Sequence, residues 1–288
     1  MKVAVCLVGK IGSKSDKHGH GGNSADVLKL GYKHYKKHLF DNNDVDVFCH
    51  SSSTELSEEI ISLYNPKSYI FMEEPNFDIP AYVTGNDDRK KAHYHKWFSH
   101  KKVMELRKQY EIKTNTKYDF VYIGRYDIAW LTSINFSNFD PSYFYLTNWN
   151  RLFYKKNNKE IKGADWYKLI SSKKEQLIKN NLIPYHIESK LVGYPYNNEG
   201  VMDSWFFSNS KYMDILCTLY DHLNEYTRPG TTWMSGKSTV ADSAGNISNH
   251  RLIPKHLENY NLLKKLEPIF YTHDDYPLIR RYYYNSLR

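Results

Sequence analysis

Three short segments carry residue types that could do chemistry. Arg125-Tyr126-Asp127 follows directly on Tyr118-Asp119-Phe120-Val121-Tyr122-Ile123-Gly124, so an arginine and an aspartate sit at the carboxyl end of an expected strand. A carboxylate there can hold a hard divalent cation shared with substrate phosphates, or a ribose hydroxyl. It can equally close the strand as a structural Arg–Asp pair. The segment Asn197-Asn198-Glu199-Gly200-Val201-Met202-Asp203-Ser204-Trp205-Phe206-Phe207 sets two carboxylates on one glycine-hinged stretch beside three aromatic rings. A carboxylate against aromatic walls suits deprotonation of a sugar hydroxyl, and rings pack on the apolar faces of sugars. A strand entering the core would use the same aromatics but would not need Glu199 and Asp203. Gly9-Lys10-Ile11-Gly12 ends the first apolar run. Glycines let backbone N–H groups approach a phosphate and Lys10 adds a point charge, while a plain tight turn would use the same residues.

Other motifs fail on spacing. Gly236-Lys237-Ser238-Thr239 invites a phosphate-loop reading, but position 231 is Thr231 where that loop needs a glycine, and no buried strand leads into it. Gly9 to Gly12 lacks the third glycine of a dinucleotide fingerprint. His34 and His38 share one face of an expected helix, without the glutamate of a zinc pair and with lysines around them, so they read as a solvated face. His18 and His20 give no ligand spacing, and His93, His95 and His100 leave the same choice open.

The elements that must position these residues come from hydrophobic patterning. Val3 to Val8 is an unbroken apolar run ending at glycine, as in a strand buried on both faces. A glycine- and histidine-rich loop follows, and then Asn23 or Ser24 caps a helix carrying Val27, Leu28, Leu30 and Tyr35. Val45 to Cys49 is a second strand, Ser53 or Thr54 opens a helix through Leu63, and Ser68 to Met72 is a third strand. Right-handed β-α-β crossovers then give an open parallel sheet with helices on both sides. A long helix is expected over residues 89–111, with Trp97, Val103, Met104 and Leu106 buried, followed by the strand Tyr118–Gly124 that leads into Arg125. The second half is less regular. It offers strands at 143–146 and 201–208, a basic loop at 150–162, a helix at 211–226, and a Gly-, Ser- and Thr-rich stretch at 227–249 that reads as a mobile loop.

Composition excludes whole classes. The 288 residues are 41% hydrophobic, enough for one large or two closely packed domains, and no run approaches the roughly 20 apolar residues that span a bilayer. The net charge of +8 and a pI near 9.0 favour anionic partners. The positive charge is diluted along the chain in no long basic block, so a phosphorylated small molecule is expected before nucleic acid. Cys6, Cys49 and Cys217 are odd in number and far apart, which predicts buried free thiols and a reduced, cytoplasmic protein.

Taken together, these segments resemble GT-A-type glycosyltransferases. Lys2–Val8 with Gly9-Lys10, the Asp46-Val47-Phe48-Cys49-His50 strand and the run from Phe120 to Asp127 resemble the nucleotide-sugar half of that fold, with Arg-x-Asp where the usual motif is Asp-x-Asp. The Asn198–Phe207 segment resembles the acceptor-side stretch that carries the catalytic carboxylate of inverting members. The excess of Lys, Asn and Tyr is similar to small sugar transferases of large DNA viruses and to bacterial surface-polysaccharide enzymes. The likeness covers roughly residues 1–210.

The resemblance implies an α/β, GT-A-like, mostly parallel open sheet flanked by helices. Residues 1–130 would form the nucleotide-sugar-binding half and 131–288 the acceptor-binding half of one compact domain. It implies a UDP- or GDP-sugar donor, UDP-xylose among the candidates, and a glycan or glycoprotein acceptor, with no nucleic acid and no membrane span; if the source is viral, the compartment is the host cytoplasm. Gly9 and Lys10 would lie near the diphosphate and His50 or Ser51 near the base or ribose. Asp127 would bind Mn²⁺ or Mg²⁺, with His273 completing the metal site, and Arg125 would neutralise leaving-group charge. Asp203 would be the base, with Glu199 beside it and Asn198 and Trp205 toward the acceptor. Because one aspartate of the usual motif is missing, Arg125 or Lys10 could supply the charge in place of metal. A non-catalytic carbohydrate-binding protein and another phosphate-handling transferase on a doubly wound sheet are the rival readings.

Overall fold

A seven-stranded mixed sheet organises the chain. In the computed structural model, residues 1–11, 24–148, 152–156, 159–160, 182–184, 200–233, 238–241, 245–271 and 275–279 are described. Strands β1 (Lys2–Val8), β2 (Asp44–Ser51) and β3 (Ser68–Phe71) alternate with helices α1 (Ser24–His38) and α2 (Ser57–Tyr64), and all three strands run parallel. Helix α3 (Asp87–Thr114) then returns the chain to β4 (Phe120–Arg125), which pairs with the other side of β1. Beyond β4 the sheet continues through β9 (Trp205–Ser208), β5 (Phe144–Asn148) and β12 (Leu266–Tyr271), giving the order β12-β5-β9-β4-β1-β2-β3. Only β9 is antiparallel to its neighbours among these strands. The sheet passes through both halves of the chain without a break.

Period-two alternation divides the core into two layers. On β1, Val3, Val5 and Leu7 face α1 and α2, whereas Ala4, Cys6 and Val8 face α3 and the C-terminal helices. Both sets are buried, which is why β1 reads as a continuous apolar run, and each large side chain so buried contributes about 1.5–3 kcal/mol. The second layer is completed by α4 (Ser210–Cys217) and α5 (Asn249–Asn259). Local chemistry sets the helix ends. Asn86 accepts from the Arg89 N–H at 2.8 Å to start α3, with Asp87 and Asp88 at its positive end, and Asn115 closes it with φ +51°. Asn65 closes α2 the same way, with φ +43°.

The second half departs from its sequence reading at several points. The aromatic strand is confined to Trp205–Ser208, and the expected single helix over 211–226 breaks after Cys217 into a 3-10 stretch, Thr218–His222, and a last turn, Leu223–Tyr226. A small three-stranded sheet forms in which β6 (Leu152–Lys156) and β7 (Lys159–Glu160) lie where a basic loop was expected, and β6 pairs on its other side with β8 (Leu182–Pro184). Residues 227–249 include a hairpin of β10 (Thr232–Trp233) and β11 (Ser238–Thr239). Its described part is tied down, with Trp233 buried and Ile247 N–H donating to Thr84 O at 3.1 Å. His34 and His38 are not a solvated face: His38 is buried and His34 Nδ1 lies 2.8 Å from Trp130 O. No helix among the described residues is long and apolar enough to cross a membrane.

Candidate active site

The sheet changes winding direction at β1. From there the chain builds outward through β2 and β3, and then crosses back to place β4 on the opposite side. Crossovers leaving in opposite directions part the carboxyl ends of β1 and β4, where open α/β sheets take their ligands. A cleft of about 590 Å³ lies at this point. Val8, Gly9 and Lys10 form its strand-end rim with Arg125, and a stripe of α3 (Asp88, Lys91, Ala92, His95, Lys96) forms one wall. The spacing of three and four residues puts that stripe on a single helix face. Asp203 and Asn249 close the opposite rim.

Sheet register sets the strand-end rim. Val8 stands level with His50 on one side and Arg125 on the other. Gly9 has φ +109°, a conformation that suits glycine, and turns the chain across the strand ends. Ser51 fixes this turn: its hydroxyl donates to Gly9 O at 2.8 Å and accepts from Ser53 N–H at 3.1 Å, while Ser53 Oγ accepts from Ile11 N–H at 3.0 Å. Lys10 Nζ lies 3.5 Å from Glu74. The expected contact of Ser51 or His50 with a base or ribose is not what their side chains make here. Ser51 is fully buried in the turn, and His50 is fully buried edge-on to Phe98 with ring centroids 5.9 Å apart. Neither His50 ring nitrogen has a hydrogen-bond partner among the described residues, and burial, aided by nearby His95 and Lys102, pushes its pKa down to about 4.

Arg125 and Asp127 form a closed pair. Arg125 Nε donates to Oδ1 and its NH2 to Oδ2, both at 2.7 Å, and the Asp127 side chain is only 4% exposed. Of the two readings open in the sequence, the structural Arg–Asp pair is the one formed. The turn is held from outside as well, by Tyr35 OH donating to Arg125 O at 2.8 Å and Ile279 N–H donating to Asp127 O at 2.7 Å. The Asp127 charge holds the guanidinium ionised, and Arg125 still reaches the cleft.

The opposite rim depends on the one antiparallel strand. Because β9 runs against β4, with Gly124 level with Trp205, it is the residues before β9 that arrive at the carboxyl end of β4. Gly200, with φ +89°, lies so close to His250 that an added Cβ would fall 1.7 Å from its carbonyl oxygen. Val201 N–H donates to that carbonyl at 2.8 Å, and His250 Nδ1 lies 2.9 Å from Val201 O. The start of α5 is thereby fastened to the approach to Asp203. Lys96 Nζ donates to both Asp203 Oδ2 and Asp203 O at 2.5 Å, and Asn249 Nδ2 donates to Oδ2 at 3.2 Å while its Oδ1 accepts from Trp97 Nε1 at 2.9 Å. Asp203 Oδ1 has no hydrogen-bond partner among the described residues; His250 Nδ1 is 3.8 Å from it.

Burial alone would raise the Asp203 pKa, but Lys96, His250 and Arg125 outweigh it and hold the carboxyl well below the usual range. Burial lowers the pKa of Lys96, and Asp203 partly restores it. His93 and His100 are kept neutral by burial, with pKa values pushed down to about 4 and about 3.

The structure thus gathers Gly9, Lys10, Arg125 and Asp203 around one cleft, with Asp127 behind Arg125. Trp205 is corrected: it does not face an acceptor but is buried in the core beside Trp130 and Tyr276, on the face of β9 that points to α1 and α2. Asn198, Glu199 and His273 lie outside the described residues. Sequence reasoning missed Lys96, whose place in a polar helical stripe looks like solvated surface; its recurrence with Asp88, Ala92 and His100 was the available signal. The expected Mn²⁺ or Mg²⁺ does not fit the donors in view, since both oxygens of Asp127 are engaged by Arg125. The described residues hold no group of three or more His, Cys, Asp or Glu arranged for a metal ion. Compared with known proteins, the chain matches no family model and no curated relative.

Proposed function

We propose that the cleft is the active site of a glycosyltransferase that moves a sugar from a nucleoside-diphosphate donor, a UDP-sugar such as UDP-xylose first among them, to a glycan hydroxyl with inversion. The observation that carries this reading is the distribution of charge around the cleft: Lys10 and Arg125 on the strand-end rim, and, among the lining carboxylates Glu74, Asp88 and Asp203, Asp203 as the one that Lys96 and Asn249 hold in place. The diphosphate lies against the Gly9–Lys10 turn, where backbone N–H groups and two cations meet it. The acceptor hydroxyl enters beside Asp203 and gives its proton to the carboxylate. Its oxygen bonds to the anomeric carbon as the bond from that carbon to the phosphate oxygen breaks, and the electron pair leaves with the nucleoside diphosphate. Lys10, Lys96 and Arg125 stabilise the charge that develops there, so no step requires a metal ion.

The rival carbohydrate-binding reading needs exposed rings to stack on sugar, and the rings that prompted it, Trp205, Phe206 and Phe207, are buried. Calorimetry with UDP, GDP, CMP and their sugar conjugates, each with EDTA and with Mn²⁺, tests the proposal. Micromolar, nucleotide-selective binding in EDTA is expected, with a melting temperature that rises by mass action. No binding to any of these nucleotides in either condition would rule the transferase out.

A further inference from the structure

Resting on that reading, we propose that Lys96 couples the two halves of the reaction: it holds Asp203 inactive in the empty cleft and releases it when the donor's phosphates arrive. The geometry is specific. The Lys96 ammonium donates at 2.5 Å to the same carboxylate oxygen, Oδ2, that Asn249 also binds, and it lines the same cleft as the Gly9–Lys10 turn. Its side chain is 16% exposed, so it reaches cleft solvent without leaving its helix face. An ammonium has three N–H donors, and two are engaged by Asp203 and its carbonyl. A phosphoryl oxygen placed between Lys96 and Arg125 competes for the same charge. When Lys96 turns to it, the carboxylate loses its strongest counter-charge and becomes basic enough to take the acceptor proton. Without donor, Asp203 stays paired, which keeps water from being activated in a cleft that has nothing to transfer.

The groups that face Asp203 all enter this balance. They are Lys96, His93 and His100 on α3, Asn249 and His250 at the start of α5, and Arg125 at the end of β4. Of these only Lys96 both touches Oδ2 and lines the cleft as a cation, so it is the member a phosphate can draw away. Lys96 is therefore a positioning residue for Asp203 as well as a phosphate ligand.

The test follows the Asp203 side-chain carboxyl by carbon NMR across a pH titration, its signal assigned with Asp203→Asn, in the intact chain with and without saturating UDP. In the wild type the titration midpoint should lie well below the ordinary carboxylate range and move upward on UDP binding. In Lys96→Met it should already be raised and move less with UDP, and UDP affinity should drop ~10- to 100-fold, as expected for loss of a charged hydrogen bond. Lys96→Arg, which keeps the charge, should restore part of the affinity and shows whether loss of folding explains the first variant. If UDP binds the wild type but the Asp203 midpoint does not move, or moves equally in Lys96→Met, the coupling is wrong while the nucleotide reading stands. If UDP does not bind the wild type, both fall together.

Discussion

The two rims of the cleft each carry a cation paired with an aspartate, in opposite settings. On the strand-end rim, Arg125 takes both oxygens of Asp127, whose side chain is 4% exposed and sealed beneath the turn. On the far rim, Lys96 takes one oxygen of Asp203, whose side chain is 22% exposed and whose Oδ1 is left without a hydrogen bond among the described residues. Residue type is the same and the jobs differ. A carboxylate with both oxygens held and no access to solvent is a fixed counter-charge; one with a single oxygen held, at the edge of a cavity, can exchange a proton. Burial and the count of occupied lone pairs separate the roles, which the spacing of Arg-x-Asp alone does not.

The comparison can be broken by exchanging the two sites' defects. Asp203→Asn should lower transfer by ~10²- to 10⁴-fold, the range of a lost general base, while UDP affinity measured by calorimetry stays within a few-fold of wild type. Asp127→Asn should do the reverse. Arg125 loses one arm of its fork, so UDP binding weakens ~10-fold and urea unfolding shows a loss of about 1–3 kcal/mol, with turnover at saturating donor changed less. Equal effects of the two variants on binding and turnover would erase the distinction between the rims.

Acid should act more mildly, through histidines buried in the fold. His50, His93, His100 and His256 have folded-state pKa values lowered by burial to about 4, 4, 3 and 4. A group whose pKa is lower in the folded than in the unfolded chain binds fewer protons when folded, so stability falls as pH drops from the unfolded value near 6.5 toward 4. The Asp46 and Asp203 carboxyls are also lowered, but their contribution is present above about pH 4 and is lost only in stronger acid. Melting followed from pH 7 to pH 5 therefore isolates the histidines and should drop by several degrees; a flat profile would mean that these rings protonate without cost in the fold.

The first half of this architecture was legible because strands buried on both faces read as apolar runs. β1, β2, β3 and β4 lie within a residue or two of their sequence boundaries, and β4 runs one residue past its expected end to include Arg125. The far rim was legible only in part. Asp203 stands out beside Gly200 and the aromatics, yet its place in the cleft depends on β9 running antiparallel, and nothing local encodes strand direction. The same alternation that sends Trp205 and Phe207 to one core layer sends Phe206 to the other, so an aromatic cluster in sequence did not amount to an aromatic wall in space. Strand β12 was missed because Pro268 interrupts its pattern, which the sheet tolerates at its edge. Lys96 was missed because a polar helix stripe facing a cleft has the same sequence as one facing water.

A crystal structure with UDP, grown in EDTA, tests the central claim most directly. The account predicts the diphosphate in the β1/β4 cleft, within hydrogen-bond distance of the Gly9–Lys10 turn and Arg125, with Lys96 Nζ turned from Asp203 Oδ2 to a phosphate oxygen. UDP bound away from this cleft, or in it with the phosphates remote from all three cations, would contradict it.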